Sequence, residues 1–538
     1  MIIPTDPTSL PILNSKLHFM KRMSKDAAQK VLSKSKFRNS SAVMFSISLA
    51  GCQDTTTVDP CADGSSTDSY ICINSALIEN DPAASLPTIE MPSEQLPVSG
   101  TLNSDIFVAN SGFLNKETVI DGGDGTDTLN LNLKNSVKNS PTIKNIENLS
   151  LSSFGDYSLD LSNISDVEYI LSEKSLGNIT LTGVSDPTVV FGFSGNGINS
   201  TILTNNDLGG TADILKINLI EATNVSFQAP IGYEEIEIEL NGPSSINHLL
   251  ASGASTAIIN GTGDLVLNLD FVGLNSFLAT SLDGKLTSSK IDPDGFSTNG
   301  IIGSKAGTAV SLGPKSDNLH FRDKADGGSL NTISLGEGDD KISINLSSDS
   351  QNAIFGDKGD DKIKFIGEKL LVDEIIDGGS GTDTLIIEQS LNNFFNLVNI
   401  ENIILKSIAS GNNTISEANG PLSVLLETGT NGIASSFSIL KLPGFSDITV
   451  SNASGEIVGL GQFSASYDQF EAIDTVNINS KKVAGDFHTS NIGEVYLNFN
   501  DSVIANDSDL KFNDATKVFI TAEKDFLIRD FISDVSSS

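Results

Sequence analysis

Aspartates recur along this chain at the interval of one coil of a solenoid. Asp317, Asp340, Asp361 and Asp383 are each followed two residues later by an apolar residue, and their separations are 23, 21 and 22 residues. In the first half, 22 residues separate Asp105 from Asp127. A repeat of this length buries its apolar side chains only when neighbouring coils stack above and below it. The interval therefore favours a stacked, quasi-one-dimensional architecture.

Short runs with alternating apolar residues fill the chain from residue 99 onward, separated by Gly, Asn, Asp and Ser. Residues 236–240 and 495–499 are examples. Such alternation indicates strands and turns, and no long helical periodicity follows the N-terminal region. We predict an all-β protein, a parallel β-solenoid of the β-helix or β-roll type with coils of about 19–23 residues. The alternative is a β-sandwich, whose turns would not keep a coil-length period.

Two nine-residue segments combine glycines with an aspartate, at residues 122–130 and 378–386. The glycines let the backbone adopt positive φ and bring carbonyl oxygens close together, and the aspartate adds a carboxylate to the same hollow. Oxygen ligands of this kind suit a hard cation, Ca²⁺ above all. Each nonapeptide precedes an Ile-Glu-Asn strand, at 146–148 and 400–402, so we interpret the body of the chain as duplicated.

The two nonapeptides resemble the haemolysin-type (RTX-like) calcium-binding repeats. With the acidic composition and the absence of tryptophan, they also resemble the surface-layer proteins of Gram-negative bacteria. This resemblance implies a non-enzymatic surface protein in which Ca²⁺ stiffens the solenoid and joins neighbouring molecules into a lattice. In that family the motifs run in tandem every nine residues, whereas here they recur once per coil. We therefore expect ions along one edge only.

Three consecutive turns between residues 336 and 385 form the predicted metal site. Three stacked turns leave two gaps, so we expect up to two Ca²⁺ ions bound by the carboxylates of Asp340, Asp361 and Asp383. Asp127 is a further candidate, although the neighbouring turn at Asp105 lacks the glycines. The alternative is that these turns keep the glycine geometry for folding alone, without metal. The expected carbonyl ligands belong to Gly336, Gly338, Gly356, Gly359, Gly378 and Gly381.

The N-terminal region has the pattern of an export signal followed by a spacer. Basic residues precede a short apolar run at 42–50, and the Leu-Ala-Gly-Cys sequence that ends at Cys52 resembles the bacterial lipobox. That resemblance implies cleavage before Cys52, lipidation of its sulfur and attachment to the outer membrane. An uncleaved apolar N-terminus with a chance cysteine is the alternative. Cys61 and Cys72 can close a disulfide loop in an oxidising compartment, or stay reduced.

We thus divide the chain into a signal segment, residues 1–51, a proline-rich tether, 52–98, and two solenoid regions, 99–312 and 313–538. The second region carries the calcium-binding turns. Proline-rich polar sequence favours an extended conformation, so the tether would hold the solenoid away from a lipid surface. These predictions together place the protein outside the cell, on the bacterial outer membrane or cell surface or free in the medium.

The formal net charge of −35 argues against a nucleic-acid partner, because phosphate recognition needs a basic surface. The four histidines are scattered, and the sequence contains no Gly-x-Ser-x-Gly or His-Glu-x-x-His motif. We therefore expect a non-enzymatic, surface-layer-like protein whose partners are further copies of itself or other surface components. Two alternatives stay open: an adhesin on the same scaffold, and a β-helical polysaccharide lyase or hydrolase.

Overall fold

The computed structural model describes residues 70–73, 76–79, 88–90 and 97–406, the last range with gaps, and after residue 406 it describes strands alone. The gaps are residues 185, 197–199, 205–211, 230–231, 252, 324–329, 347–350, 367–374 and 389–395. The chain divides into two compact units, Met1–Leu86 and Pro87–Ser538. In the first unit, β1 (Tyr70–Ile73) pairs in antiparallel fashion with β2 (Ala76–Glu79). Cys52 and Cys61 lie outside the described residues, whereas Cys72 lies in β1.

The second unit consists of strands, with one turn of 3-10 helix at Ser111–Phe113 among its described residues. Its first strands are β3 (Thr88–Glu90), β4 (Val98–Ser99), β5 (Ile106–Asn110), β6 (Val119–Asp121), β7 (Thr128–Leu133), β8 (Thr142–Lys144), β9 (Asn148–Ser153), β10 (Tyr157–Asp160), β11 (Tyr169–Glu173), β12 (Asn178–Thr182), β13 (Val190–Asn196), β14 (Ser200–Thr204), β15 (Ile214–Thr223), β16 (Val225–Ala229), β17 (Glu235–Asn241), β18 (Ser244–Ala251), β19 (Thr256–Thr262), β20 (Leu265–Leu267), β21 (Phe271–Leu274), β22 (Ser276–Asp283), β23 (Leu286–Ser288) and β24 (Gly300–Gly303). They are followed by β25 (Ala309–Ser311), β26 (Asn318–Arg322), β27 (Leu330–Ser334), β28 (Lys341–Asn345), β29 (Gln351–Phe355), β30 (Lys362–Phe365), β31 (Ile375–Asp377), β32 (Thr384–Ile387), β33 (Asn396–Val398), β34 (Asn402–Lys406), β35 (Gly411–Thr414), β36 (Ser423–Thr428), β37 (Ser435–Leu442), β38 (Asp447–Asn452), β39 (Val458–Tyr467), β40 (Ile473–Asn479), β41 (Lys482–Ser490), β42 (Glu494–Asn500), β43 (Val503–Ile504), β44 (Asp509–Asn513), β45 (Lys517–Ala522) and β46 (Asp530–Asp534).

These strands form parallel sheets in which each strand pairs with the strands one coil before it and one coil after it. Between Ala309 and Lys406 the chain alternates between a fifteen-stranded sheet and a twelve-stranded sheet. This topology confirms the predicted all-β parallel solenoid and rules out the sandwich alternative. The sheets run from β3 to β33 with fifteen strands, from β21 to β45 with twelve, from β10 to β23 with seven, from β35 to β46 with seven, and through β4, β6 and β8.

The core is built by stacking like positions of successive coils. Phe107 of β5 aligns with Leu129 of β7, which aligns with Leu149 of β9, and all three side chains are buried. Because strand residues point alternately to the two sides of a sheet, every second residue of these strands points into the core. Alternation in the sequence and parallel register together produce one continuous apolar interior.

The ladder of strands crosses two of the expected segment boundaries. Strand β25 pairs with β22 on one side and with β27 on the other, so the fifteen-stranded sheet passes residue 312 without a break. Strand β3, which lies within the expected tether, pairs with β5 and is the first strand of that sheet. The pairing therefore begins the stack at residue 88, ahead of the glycine-rich turns.

A hairpin, residues 289–299, leaves the solenoid between β23 and β24 and lies across the outer face of the twelve-stranded sheet, where it contacts β26 and β28. We call it the strap. Its Ser297 accepts a hydrogen bond from Ser343 Oγ of β28 through its carbonyl and donates from its own N–H to Asn318 Oδ1 of β26. Three side chains on the outward side of the sheet are buried: Ser343, Lys364 and Ile386.

Candidate metal site: a column of buried aspartates

The aspartates that recur at coil length stack directly on one another at the start of the twelve-stranded sheet. In each step the backbone N–H of one aspartate donates to the Oδ1 of the aspartate one coil later. The N···O distances are 2.6 Å from Asp317 to Asp340, 2.8 Å from Asp340 to Asp361 and 2.8 Å from Asp361 to Asp383. The column ends at Glu401, whose Oε2 accepts the N–H of Asp383 at 2.8 Å. The structure thus brings the three predicted carboxylate ligands into one column.

The second carboxylate oxygen of these aspartates is buried without a hydrogen-bond partner. This is true of the Oδ2 atoms of Asp340, Asp361 and Asp383. All three residues are at most 1% exposed. A buried polar atom without a partner costs free energy, commonly about 1–3 kcal/mol. The arrangement therefore calls for a proton or a cation at these oxygens.

A second ladder in the same coils shows that aspartate is not needed for the stacking itself. At the start of the fifteen-stranded sheet, Asn331 Oδ1 accepts the N–H of Thr308 at 2.9 Å, the same contact that aspartate makes in the column. The other side-chain atom of Asn331 is satisfied as well, because Nδ2 donates to Asn352 Oδ1 at 2.8 Å. Asn331 therefore makes the ladder contact with both side-chain atoms paired, whereas Asp340, Asp361 and Asp383 each leave one oxygen without a partner.

Glycines keep open the space beside the unpartnered oxygens. A Cβ placed on Gly356 would lie 2.2 Å from the carbonyl oxygen of Gly378 and 2.5 Å from Asp361 Oδ2. In the next coil, a Cβ on Gly378 would lie 2.1 Å from the carbonyl oxygen of Asn399 and 2.5 Å from Asp383 Oδ2. In each turn, a backbone carbonyl and a carboxylate oxygen therefore converge where any other residue would carry its side chain.

The first nonapeptide builds the same geometry in the N-terminal half. Asp127 Oδ1 accepts the N–H of Asp105 at 2.7 Å, and Asp127 Oδ2 is buried and unpartnered. A Cβ on Gly122 would lie 1.7 Å from the carbonyl oxygen of Asn145 and 2.5 Å from Asp127 Oδ2. This turn opens a strand of the fifteen-stranded sheet, whereas the turn at Asp383 opens one of the twelve-stranded sheet. The duplicated motif thus serves two different sheets.

The asparagine carbonyls at these two turns were not among the expected ligands. Asn145 and Asn399 have φ angles of 54° and 51°, a left-handed conformation that asparagine tolerates better than most residues. Each side chain donates to an aspartate one coil earlier, Asn145 to Asp121 and Asn399 to Asp377. The sequence did carry a signal, because Asn-Ile-Glu-Asn occurs at both places.

The other expected glycines play different structural parts. Gly338, Gly359 and Gly381 stack in a column of their own, where a Cβ on Gly359 would lie 1.8 Å from the Gly338 carbonyl oxygen and a Cβ on Gly381 would lie 2.0 Å from that of Gly359. Their φ angles lie between 116° and 147°, in the region that favours glycine. The carbonyl of Gly336 accepts the N–H of Lys358. Of the six expected carbonyls, the structure thus brings that of Gly378 beside a free carboxylate oxygen.

Asp213 is a further member of the pattern that the sequence analysis missed. Its N–H donates to Glu234 Oε2 at 2.9 Å, as Asp127 donates to Glu147 and Asp383 to Glu401, and its Oδ2 is buried without a partner. The signal was a degenerate turn, because a Gly-Gly pair precedes Asp213 but threonine stands two residues before the aspartate, where the nonapeptides have their third glycine.

The donor set fits a hard cation that takes most of its ligands from the backbone. Within the described residues, no three His, Cys, Asp or Glu side chains converge closely enough to hold a metal by themselves. Each turn offers one carboxylate, so carbonyls would have to complete the shell, as Ca²⁺ accepts. Asp361 with the Gly378 carbonyl, Asp383 with that of Asn399 and Asp127 with that of Asn145 are the pairs that meet this requirement.

Burial raises the pKa of the column carboxyls far above the usual value for aspartate. The pKa rises to about 9 for Asp340, about 7 for Asp361 and about 6 for Asp383, and hydrogen bonds from the neighbouring N–H groups offset the burial only in part. The neighbouring carboxylates raise these pKa values further. Near neutral pH and without a cation, Asp340 therefore stays protonated and Asp361 is partly protonated.

This gives a pH dependence for the metal-free protein. A carboxyl whose pKa is raised by folding stabilises the fold below its unfolded pKa, and that contribution is lost as the pH rises through the folded pKa. We expect the melting temperature in chelator to fall by on the order of 10 °C between about pH 5 and pH 9. Calorimetry at several pH values measures this fall in the melting temperature. A melting temperature that rises over this range would contradict the raised pKa values.

No protein-family model matches this chain, and no curated protein or solved structure matches it either. The relation to haemolysin-type repeats therefore stays a prediction from the motifs. No helix within the described residues is both long and apolar enough to cross a membrane. His248 and His320 lie in strands of different sheets, β18 and β26, and His320 Nδ1 lies 2.8 Å from Ser343 Oγ.

Proposed function

We propose that this chain is a non-enzymatic, calcium-binding structural protein of the bacterial cell surface, and that bound ions stiffen its solenoid at the aspartate turns. One observation carries the proposal: buried aspartate oxygens without partners lie beside backbone carbonyls, in space that glycines keep open. A protein that needed these turns for folding alone would do better with asparagine, as its own second ladder does at Asn331.

Calcium would be held by Asp361 with the carbonyl of Gly378 and by Asp383 with the carbonyl of Asn399. The equivalent site in the N-terminal half would use Asp127 and Asn145. When bound, the ion supplies positive charge to a buried carboxylate and ties together oxygens of successive coils. Since each coil is stabilised only by its neighbours, a tie of this kind raises the cooperativity of the whole stack.

The surface role rests on the acidic composition and on the N-terminal pattern. A net charge of −35 disfavours close association of copies unless divalent cations intervene, so calcium is a natural condition for assembly. The lipobox-like sequence at Cys52 supports export and anchoring to the outer membrane. We propose that the partners are other copies of this chain in a surface layer.

Calcium-dependent assembly is the experiment that separates this function from its rivals. Purified protein is dialysed into chelator and then returned to millimolar Ca²⁺, with Mg²⁺ at the same ionic strength as the control. Electron microscopy is expected to show ordered sheets in Ca²⁺ and dispersed particles in chelator or Mg²⁺. Particles that stay dispersed but bind cells or glycans would favour the adhesin, and release of unsaturated sugars from polysaccharides would favour the lyase.

A further inference from the structure

A buried lysine meets three carboxylates where the strap crosses the twelve-stranded sheet. Lys364 Nζ lies 2.8 Å from Asp292 Oδ2, 2.7 Å from Asp294 Oδ2 and 2.9 Å from Glu388 Oε1. The lysine side chain is only 4% exposed. The ring of Phe296, itself buried, lies against it with its centroid 5.4 Å from Nζ. Two of the carboxylates come from the strap and the third follows β32.

The contacts of Asp292 prepare its carboxyl group for attack by an amine. Its Oδ1 accepts two backbone N–H groups, from Asp294 at 3.0 Å and from Phe296 at 2.9 Å. Its Oδ2 faces the lysine. Two N–H donors on one oxygen stabilise negative charge that develops there, as in an oxyanion hole. Asp294 is held differently, because its carboxylate pairs with Lys406 as well as with Lys364.

We propose that Lys364 and Asp292 form an intramolecular isopeptide bond that fastens the strap to the solenoid, with Glu388 as the proton carrier. One ammonium proton passes from Nζ to Asp292 Oδ2. The neutral Nζ attacks Cγ, a C–N bond forms, and the electron pair of the carbonyl moves onto Oδ1. Glu388 takes a second proton from Nζ and delivers it to Oδ2. The C–Oδ2 bond then breaks, one water leaves and the carbonyl re-forms. The third hydrogen stays on the amide nitrogen.

The balance of charges favours the product. The reaction replaces a buried ion pair with a neutral amide and so removes the cost of keeping two ions out of water. Burial alone would lower the pKa of Lys364, but its hydrogen bonds to Asp292, Asp294 and Glu388 outweigh burial and raise the pKa. The ammonium form therefore prevails before reaction. The bond consequently forms slowly and once per molecule.

Peptide mapping of the folded, full-length protein tests the bond. Trypsin should release one branched peptide that joins residues 291–305 to residues 363–369, uncut after Lys364 and lighter by one water than its two parts. Fragmentation should place the link on Asp292. Recovery of residues 291–305 as a free peptide, with cleavage after Lys364, from protein aged after folding would overturn the proposal. A link to Asp294 would overturn the assignment of the acceptor.

Three variants separate the chemistry from the packing. Lys364→Arg keeps the cation and should abolish the branched peptide. Glu388→Gln should slow its formation by about 100-fold, the typical contribution of a positioned proton carrier, while the circular dichroism stays that of the wild type. Lys406→Arg, which changes the outer partner of Asp294, should leave the yield unchanged. If Glu388→Gln cross-links at the wild-type rate, the role of Glu388 is wrong; the wild-type digest decides the bond itself even if a variant fails to fold.

Discussion

Asp361→Asn is expected to reverse the sign of its effect on stability when calcium is removed. In chelator at about pH 8 the variant should melt above the wild type, because it removes a buried carboxylate whose free oxygen costs about 1–3 kcal/mol. In Ca²⁺ it should melt below the wild type, because each ion contributes about 2.7 kcal/mol when free calcium is 100-fold above Kd. The amide oxygen of the new side chain would keep the ladder contact that Asp361 makes with the Asp340 N–H. Calorimetry with and without chelator measures both signs.

Asp360→Asn is the matched control for this experiment. It lies next to Asp361 in the same turn, makes the same change of charge and is exposed. Its Oδ1 also accepts a backbone N–H one coil away, that of Thr382 at 2.8 Å. Its effect should stay within about 0.5 kcal/mol in either buffer, as for other surface substitutions. Equal responses of the two variants to calcium, or a wild type whose melting ignores chelator, would remove the metal site from the column.

Gly356→Ala is expected to destabilise the protein by about 1–3 kcal/mol and to abolish calcium binding at Asp361. The new methyl group would lie 2.2 Å from the Gly378 carbonyl oxygen and 2.5 Å from Asp361 Oδ2. Neither atom can retreat cheaply, because one belongs to the backbone and the other to a buried carboxylate held by its Oδ1. Denaturant unfolding gives the loss of stability, and calcium titration calorimetry gives the loss of binding.

Gly112→Ala separates this steric effect from the entropy of the unfolded chain. A Cβ on Gly112 meets nothing closer than Asn135 Oδ1 at 3.7 Å, and neither Gly112 nor Gly356 has a positive φ. At Gly112, alanine should be neutral or should stabilise by about 0.4–1 kcal/mol, through the unfolded state alone. If Gly356→Ala changes the stability no more than Gly112→Ala does, the oxygens beside Gly356 leave room for a methyl group.

Much of the candidate site could be anticipated because its signals are local. The spacing of Asp340, Asp361 and Asp383 follows from the length of one coil, and the glycines around them follow from the backbone angles of the turn. The carbonyls of Asn145 and Asn399 were missed because they lie outside the nonapeptides. The two asparagines lie in the coil that follows the aspartate, and only the stacking of the coils brings their carbonyls beside its carboxylate.

The strap was missed for a different reason. Its sequence, Asp-Pro-Asp-Gly-Phe, has the composition of an ordinary turn. Its partners are distant in sequence, since Lys364 is 72 residues from Asp292 and Lys406 is 112 residues from Asp294. Lys364 lies on the outward side of its strand, in register with Ser343 and Ile386. It is buried because another part of the chain covers that face.

The sequence by itself determined the period of the solenoid, the all-β parallel class and the carboxylates of the column, because each depends on local chemistry repeated at a fixed interval. The tertiary structure decided which oxygens those carboxylates meet and which carboxylate oxygens stay unpartnered. It also decided that a hairpin covers part of the outer face of one sheet. These features depend on the register between coils and on long-range packing. Residues roughly twenty to more than a hundred positions apart become neighbours only when the chain has stacked on itself.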